Sequence, residues 1–270
     1  MKNINKVLIV ILTVLLVAIA GLSVLLIISM NEKKEDMEVP VEVIEVEEPE
    51  IEEEDDSTFS QKKWEANYEI NSDYIGQLIF DSEIINEPVV QDAKDSYLRK
   101  NWITNEYDIQ GTCYLDGRNV LNDENLIIYG HYTEEGFSDY KGYDPDKRPM
   151  FSNLDLLLDE ENYEDNRYLS LYLKDEIRRY EVVSVFYCPL IKDENTGEYV
   201  FVTEGYEYYL TSYDDESFSK YLDTIYRVQR YVSDADLNRN DRLLTLQTCV
   251  AGREDLREIV LCRQIEVIEY

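Results

Sequence analysis

Three residues of this sequence have the chemistry for acyl transfer. Cys249 closes the apolar run RLLTLQTC at 242–249, Arg257 heads REIVLCRQIEVIE eight positions later, and His131 closes NLIIYGH at 125–131. A cysteine supplies a thiolate nucleophile, and a histidine carries protons near neutral pH. An arginine supplies a permanently charged fork of donors for a developing oxyanion. Its charge also favours a thiolate over a thiol of ordinary pKa about 8.5. His131 is the only histidine of the chain, so any cysteine–histidine chemistry must run through it. Each residue also has a plainer reading. A cysteine in an apolar strand is commonly a small buried hydrophobe, a histidine at a strand end is commonly structural, and an arginine opening a strand is commonly solvated. Arg253 competes with Arg257, but it sits between a glycine and two acids, whereas REIVL continues as an apolar strand.

These residues need elements that bring them to one rim. The stretches IGQLIF, EPVVQ, GTCYLD, NLIIYGH, YLSLYL, IRRYEVVSVFY, RLLTLQTC and REIVLCRQIEVIE read as eight strands separated by Gly, Asn and Asp turns. Without long helices alternating between them, they predict a mainly β antiparallel or mixed barrel rather than a doubly wound sheet. STFSQKKWEANYEIN predicts a short N-terminal helix capped by Ser57 or Thr58, and MFSNLDLLLDEENY is helix-like. In DESFSKYLDTIYRVQRYVS, Phe218, Tyr221, Leu222, Ile225, Val228 and Tyr231 recur on one helical face. That helix is inserted just before the strand of Cys249, as packing or as the wall of a groove.

The chain has 270 residues and a formal net charge of −32. Residues 7–28 are apolar and uncharged, long enough to cross a hydrocarbon core of about 30 Å. They exceed the apolar core of a cleaved signal peptide, about 7–15 residues, and no small-residue cleavage pattern follows. The expected organisation is a cytoplasmic stretch at 1–6, a transmembrane anchor at 7–28, an acidic stalk at 29–57 and a catalytic domain at 58–270. Lys2 and Lys6 favour the N-terminus inside and the domain outside. The acidity argues against nucleic acid as a partner, because phosphates are repelled. The four cysteines include no C-x-x-C pair, and one histidine completes no common zinc site, so neither metal nor cofactor is expected. Cys113, Cys188 and Cys262 lie in strand-like runs and read as buried hydrophobes.

IIYGH followed by MFSNL, then LLTLQTC, then Arg257 before EIVLCRQI closely resembles the sortase family. YIGQLIFDSEIINEPVVQ, SYLRKN, GTCYLDGRN and the helix before the Cys249 strand are similar to class B sortases, over residues 64–270. The resemblance implies an eight-stranded sortase barrel and a membrane-held transpeptidase on the outer face of a Gram-positive cell. Such an enzyme cuts an LPXTG-like or NPXTN-like sorting signal and joins the surface protein to a peptidoglycan amine. It implies Cys249 as nucleophile, His131 as acid/base and Arg257 at the oxyanion and substrate. Leu98, Tyr199, Gln247 and Thr248 are then candidate substrate contacts, Gln247 standing where class B members often have Ser. Alternatives are a pilin-polymerising sortase, a thiol peptidase and a non-catalytic membrane-tethered binding module.

Overall fold

The computed structural model describes residues 61–133, 150–201, 207–233 and 236–270. The expected anchor, the stalk and the Ser57 and Thr58 caps lie outside the described residues. Among the described residues, no helix is long and apolar enough to cross a membrane.

Helix α1 (Gln61–Ile70) leads into strands β1 (Tyr74–Phe80), β2 (Asn86–Val90), β3 (Tyr114–Leu115), β4 (Asn125–Tyr129), β5 (Tyr168–Tyr172), β6 (Glu176–Lys192), β7 (Tyr199–Phe201), β8 (Leu243–Val250) and β9 (Arg253–Glu269), with helix α2 (Asp215–Val228) between β7 and β8. Eight strands pair in the order β5-β1-β2-β3-β4-β8-β9-β6, and a β5–β6 pairing closes the ring. All eight strands expected from the sequence are present. The ninth, β7, is a three-residue return that pairs with the end of β6. Its shortness and the polar turn before it leave no alternation to read.

Alternation explains the barrel's two faces. Leu126 and Ile128 of β4, Leu244 and Leu246 of β8, and Val260 and Cys262 of β9 fill the interior with Phe151, Leu154 and Leu157. The latter three belong to a 3-10 run, Met150–Leu158, the helix-like stretch of the sequence. The outward residues Leu243, Ile259 and Leu261 are covered by Phe218, Tyr221 and Ile225 of α2. Strands β8 and β9 are therefore covered on both faces along this stretch, which is why they read as continuous apolar runs. An Asp214–Ser217 capping box starts α2. The helix stops at Val228, and Tyr231 packs separately, against the barrel-interior cluster. All four cysteines are free thiols, and Cys113, Cys188 and Cys262 are buried in the apolar clusters.

Candidate active site

Strands β4 and β8 run parallel, with Asn125 opposite Leu243 and Tyr129 opposite Gln247. Both pairs differ by 118 positions, and the Gly130 N–H donates to the Gln247 carbonyl at 3.1 Å, carrying the match beyond the strand end. Adding 118 to 131 gives 249, so the same register sets His131 abreast of Cys249. Strands β8 and β9 are antiparallel, and Cys249 lies directly opposite Arg257. Directly opposed residues project from the same face. Cys249 and Arg257 thus share a row on the outer face that bears Leu243 rather than the interior face of Leu244, and His131, two positions past the end of β4, continues that row by register.

The arginine end of the row differs from expectation. Strand β9 begins at Arg253, not Arg257. The turn is only Ala251 and Gly252, the glycine at φ +63°, a conformation that favours glycine. Val250 pairs with Arg253, then an irregularity intervenes before Cys249 pairs with Arg257. Glu254, Asp255 and Leu256 form a bulge on that side, and unbroken pairing with β8 starts at Arg257. The acids that looked like loop are this bulge. Bulges beside active sites re-aim side chains. Here Arg257 Nη1 donates to the Leu256 carbonyl at 2.7 Å and the Glu254 carbonyl at 3.3 Å, so the bulge's own carbonyls hold the guanidinium. Arg253 is exposed and paired with Asp255 at 2.7 Å.

Cys249 and Arg257 line one open cavity of about 670 Å³, together with Tyr199, Val250, Gly252, Arg253, Glu254 and Asp255. Both are half-buried. His131 lines a separate, smaller cavity of about 120 Å³ with Arg99, Ile109, Gln110, Tyr132 and Thr133. Its backbone is pinned from the 3-10 run: Phe151 N–H donates to the His131 carbonyl at 3.2 Å, and Thr133 N–H to Ser152 Oγ at 2.8 Å. Gly130 is required by that packing, because a Cβ there would lie 2.5 Å from the Phe151 ring. The imidazole Nε2 lies 2.7 Å from the Leu98 carbonyl, and the Arg99 guanidinium rests against the ring. Burial, and secondarily the Arg99 charge, push the His131 pKa below the ordinary value, while the Leu98 carbonyl opposes them.

The remaining candidates divide. Tyr199 lies in the Cys249 cavity, held beside Lys192. Leu98 meets His131 through its carbonyl, with its side chain exposed. Gln247 shares the outward face with Cys249 but is buried beneath the row. Thr248 is 2 % exposed, lies on the interior face opposite the buried Glu258, and lines neither cavity. Arg99 was not read as a site residue. It precedes His131 by 32 positions, and nothing in SYLRKN marks it as reaching the histidine. Among the described residues, no cluster of His, Cys, Asp and Glu is arranged to hold a metal ion.

A closed eight-strand barrel with a cysteine paired to an arginine on its outer face, and a histidine abreast, has the architecture of a cysteine acyl-transfer enzyme. No family model matches the chain. The chain is 24% identical over 207 residues to sortase B of Staphylococcus aureus, covering 75% of this chain and 74% of that protein. It is 28% identical over 183 residues to sortase B of Listeria monocytogenes, covering 67% of this chain and 64% of that protein, just under two thirds. The solved structure of Clostridium perfringens sortase B superposes with a TM-score of 0.60 at 27% identity, covering 75% of this chain and 99% of that one. The chain is a homologue of the class B sortases, and its class of enzyme is the sortase-type cysteine transpeptidase.

Proposed function

We propose that this chain is a membrane-anchored class B sortase that cleaves an LPXTG-like or NPXTN-like sorting signal and joins the surface protein to a peptidoglycan amine. The observation that carries the reading is the direct pairing of Cys249 with Arg257 in a shared cavity. Cys249 gives its thiol proton to His131 as Sγ attacks the scissile carbonyl, and the Arg257 guanidinium stabilises the oxyanion that forms. Collapse expels the leaving amine, which takes a proton from His131, and leaves a thioacyl enzyme. The acceptor amine then attacks the thioester, gives its proton to His131 and releases the Cys249 thiolate. The resting His131 is drawn toward its neutral form, which suits the second half of that cycle.

Sortase B of S. aureus has been solved in complex with its substrate, and sortase B has been solved with triglycine. By analogy, the two partners here are a signal-bearing protein and an amine-ended peptide. The test offers a library of sorting-signal peptides with a peptidoglycan-stem amine and reads ligated products by mass spectrometry. Ligation at the Thr–Gly or Thr–Asn bond, lost in Cys249→Ala, is the expected result. Hydrolysis products alone identify a thiol peptidase instead.

A further inference from the structure

The cavity beside His131 holds more donors than the protein uses. Arg99 Nη1 donates to the Ile109 carbonyl at 2.8 Å and the Leu98 carbonyl at 3.3 Å, which fixes the guanidinium at the cavity wall. No carboxylate among the described residues pairs with it, in a chain with 58 acids against 26 basic residues. Gln110 lines the same cavity and is 7 % exposed; its Nε2 is buried with no hydrogen-bond partner. Buried donors are normally satisfied. An exposed cation held by two backbone carbonyls and an amide N–H without a partner, on two residues that line one small cavity, suit an oxygen ligand with negative charge.

The ring of His131 is tied to that vacancy. A neutral imidazole has one N–H and one lone pair. Nε2 faces both the Leu98 carbonyl, at 2.7 Å, and Arg99 Nη1, its nearer guanidinium contact, while Nδ1 lies 3.4 Å from the same Nη1. An imidazolium has two N–H donors and a positive charge, and would face a cation that can only donate. The remaining charged neighbour is Asp108, in the loop before Gln110, whose oxygens are engaged by Asn101 Nδ2 and the Gln110 N–H. An anion on Arg99 and Gln110 would remove this opposition.

From this geometry we infer that Arg99 and Gln110 form a carboxylate subsite beside His131, taking the carboxylate of an acyl acceptor that carries it close to the reacting amine. Occupancy offsets the guanidinium's charge beside the imidazole and lets the ring accept the proton of that amine. The inference rests on the sortase reading for the word acceptor, and on the cavity alone for the carboxylate. Arg99 is then a positioning residue for His131 as well as a specificity determinant, and Leu98 acts through its carbonyl.

Because His131 is the sole histidine, its ring can be followed without ambiguity in the full chain carrying ¹³C-histidine in detergent micelles. Acetate is the probe, with chloride at equal ionic strength as control. The titration midpoint is expected to rise with acetate in the native protein. In Arg99→Gln it should be raised already and stay unmoved by acetate, and in Gln110→Leu the acetate response should weaken. A midpoint unmoved by acetate, or an Arg99→Gln protein responding as the native one does, overturns the subsite. The second arm compares glycine with glycinamide as acceptors. A several-fold higher kcat/KM for glycine, lost in Arg99→Gln, is expected, and equal use of both overturns the acceptor assignment. A preference seen instead between acid and amide ends of the signal peptide's leaving segment assigns the subsite to that segment and overturns it too. If no amine is ligated while acetate still moves the His131 midpoint, the transferase reading fails and the carboxylate site stands.

Discussion

At the scale of residues, the row His131–Cys249–Arg257 makes unequal demands on its members. Cys249→Ala should abolish cleavage and thioacyl formation, since no other side chain of the row is a nucleophile. His131→Ala should remove nearly all turnover, because the chain has no second imidazole. Arg257→Lys keeps the charge but loses the planar fork that reaches the Leu256 and Glu254 carbonyls, and should lower turnover by about tenfold or more. Arg253→Ala removes an exposed, solvent-screened pair with Asp255 and should leave turnover near the native value. Steady-state ligation with each purified variant checks all four, and a silent Arg257→Ala beside a dead Arg253→Ala reverses the arginine assignment. The three residue types were legible in the sequence from their motif and order. Their alignment in one row was not, because it depends on a register that crosses from a parallel pairing to an antiparallel one. Arg99 was illegible for a related reason: its contact with His131 spans a loop that no local pattern encodes.

At the scale of elements, the strands were readable where alternation or a covered apolar run was long, as in RLLTLQTC and IVLCRQI. The start of β9 was not, since Gly252 and the acids after it signal a turn equally well with or without a bulge. The seat of His131 depends on a polar contact hidden in an apolar setting. Met150, at φ 51°, donates its N–H to Glu87 Oε1 of β2 at 3.0 Å, just before Phe151 binds the His131 carbonyl. Burial raises the Glu87 carboxyl from 4.5 to about 7, against the opposing Met150 hydrogen bond. A carboxyl raised on folding holds its proton in the native state over the interval in which the unfolded chain has lost it. The native state then binds more protons than the unfolded one, and stability falls as pH rises between 4.5 and about 7. Glu87→Gln keeps an oxygen for the Met150 N–H and has no charge to bury. Its Tm should match the native protein below pH 4.5 and exceed it increasingly up to about pH 7. Thermal melts of both proteins across that range decide the matter, and parallel Tm curves refute the assignment.

At the scale of the whole molecule, the acid excess shapes where the barrel can work. A net charge of −32 repels nucleic acid and anionic membrane surfaces alike, at distances up to the Debye length of about 8 Å in physiological salt. Residues 29–57 are acidic and proline-bearing. The apolar stretch at 7–28 is long enough to span a bilayer, as the proposed anchoring requires. The basic residues Lys2 and Lys6, with the amino terminus, favour retention of that end in the cytoplasm. Cell-wall substrates lie on the other side, so the proposed function requires the barrel outside. Protease added to intact protoplasts should therefore digest the chain from about residue 64 onward while leaving a cytoplasmic marker whole, and immunoblotting for the barrel reads the outcome. The closed barrel slows cutting within itself because its strand edges are paired, so cleavage should start in the spacer and release a compact fragment first. A barrel protected in intact protoplasts and cut only after lysis would place it inside, where it could not meet a cell-wall acceptor, and the anchoring role would fall even with the transpeptidase chemistry intact.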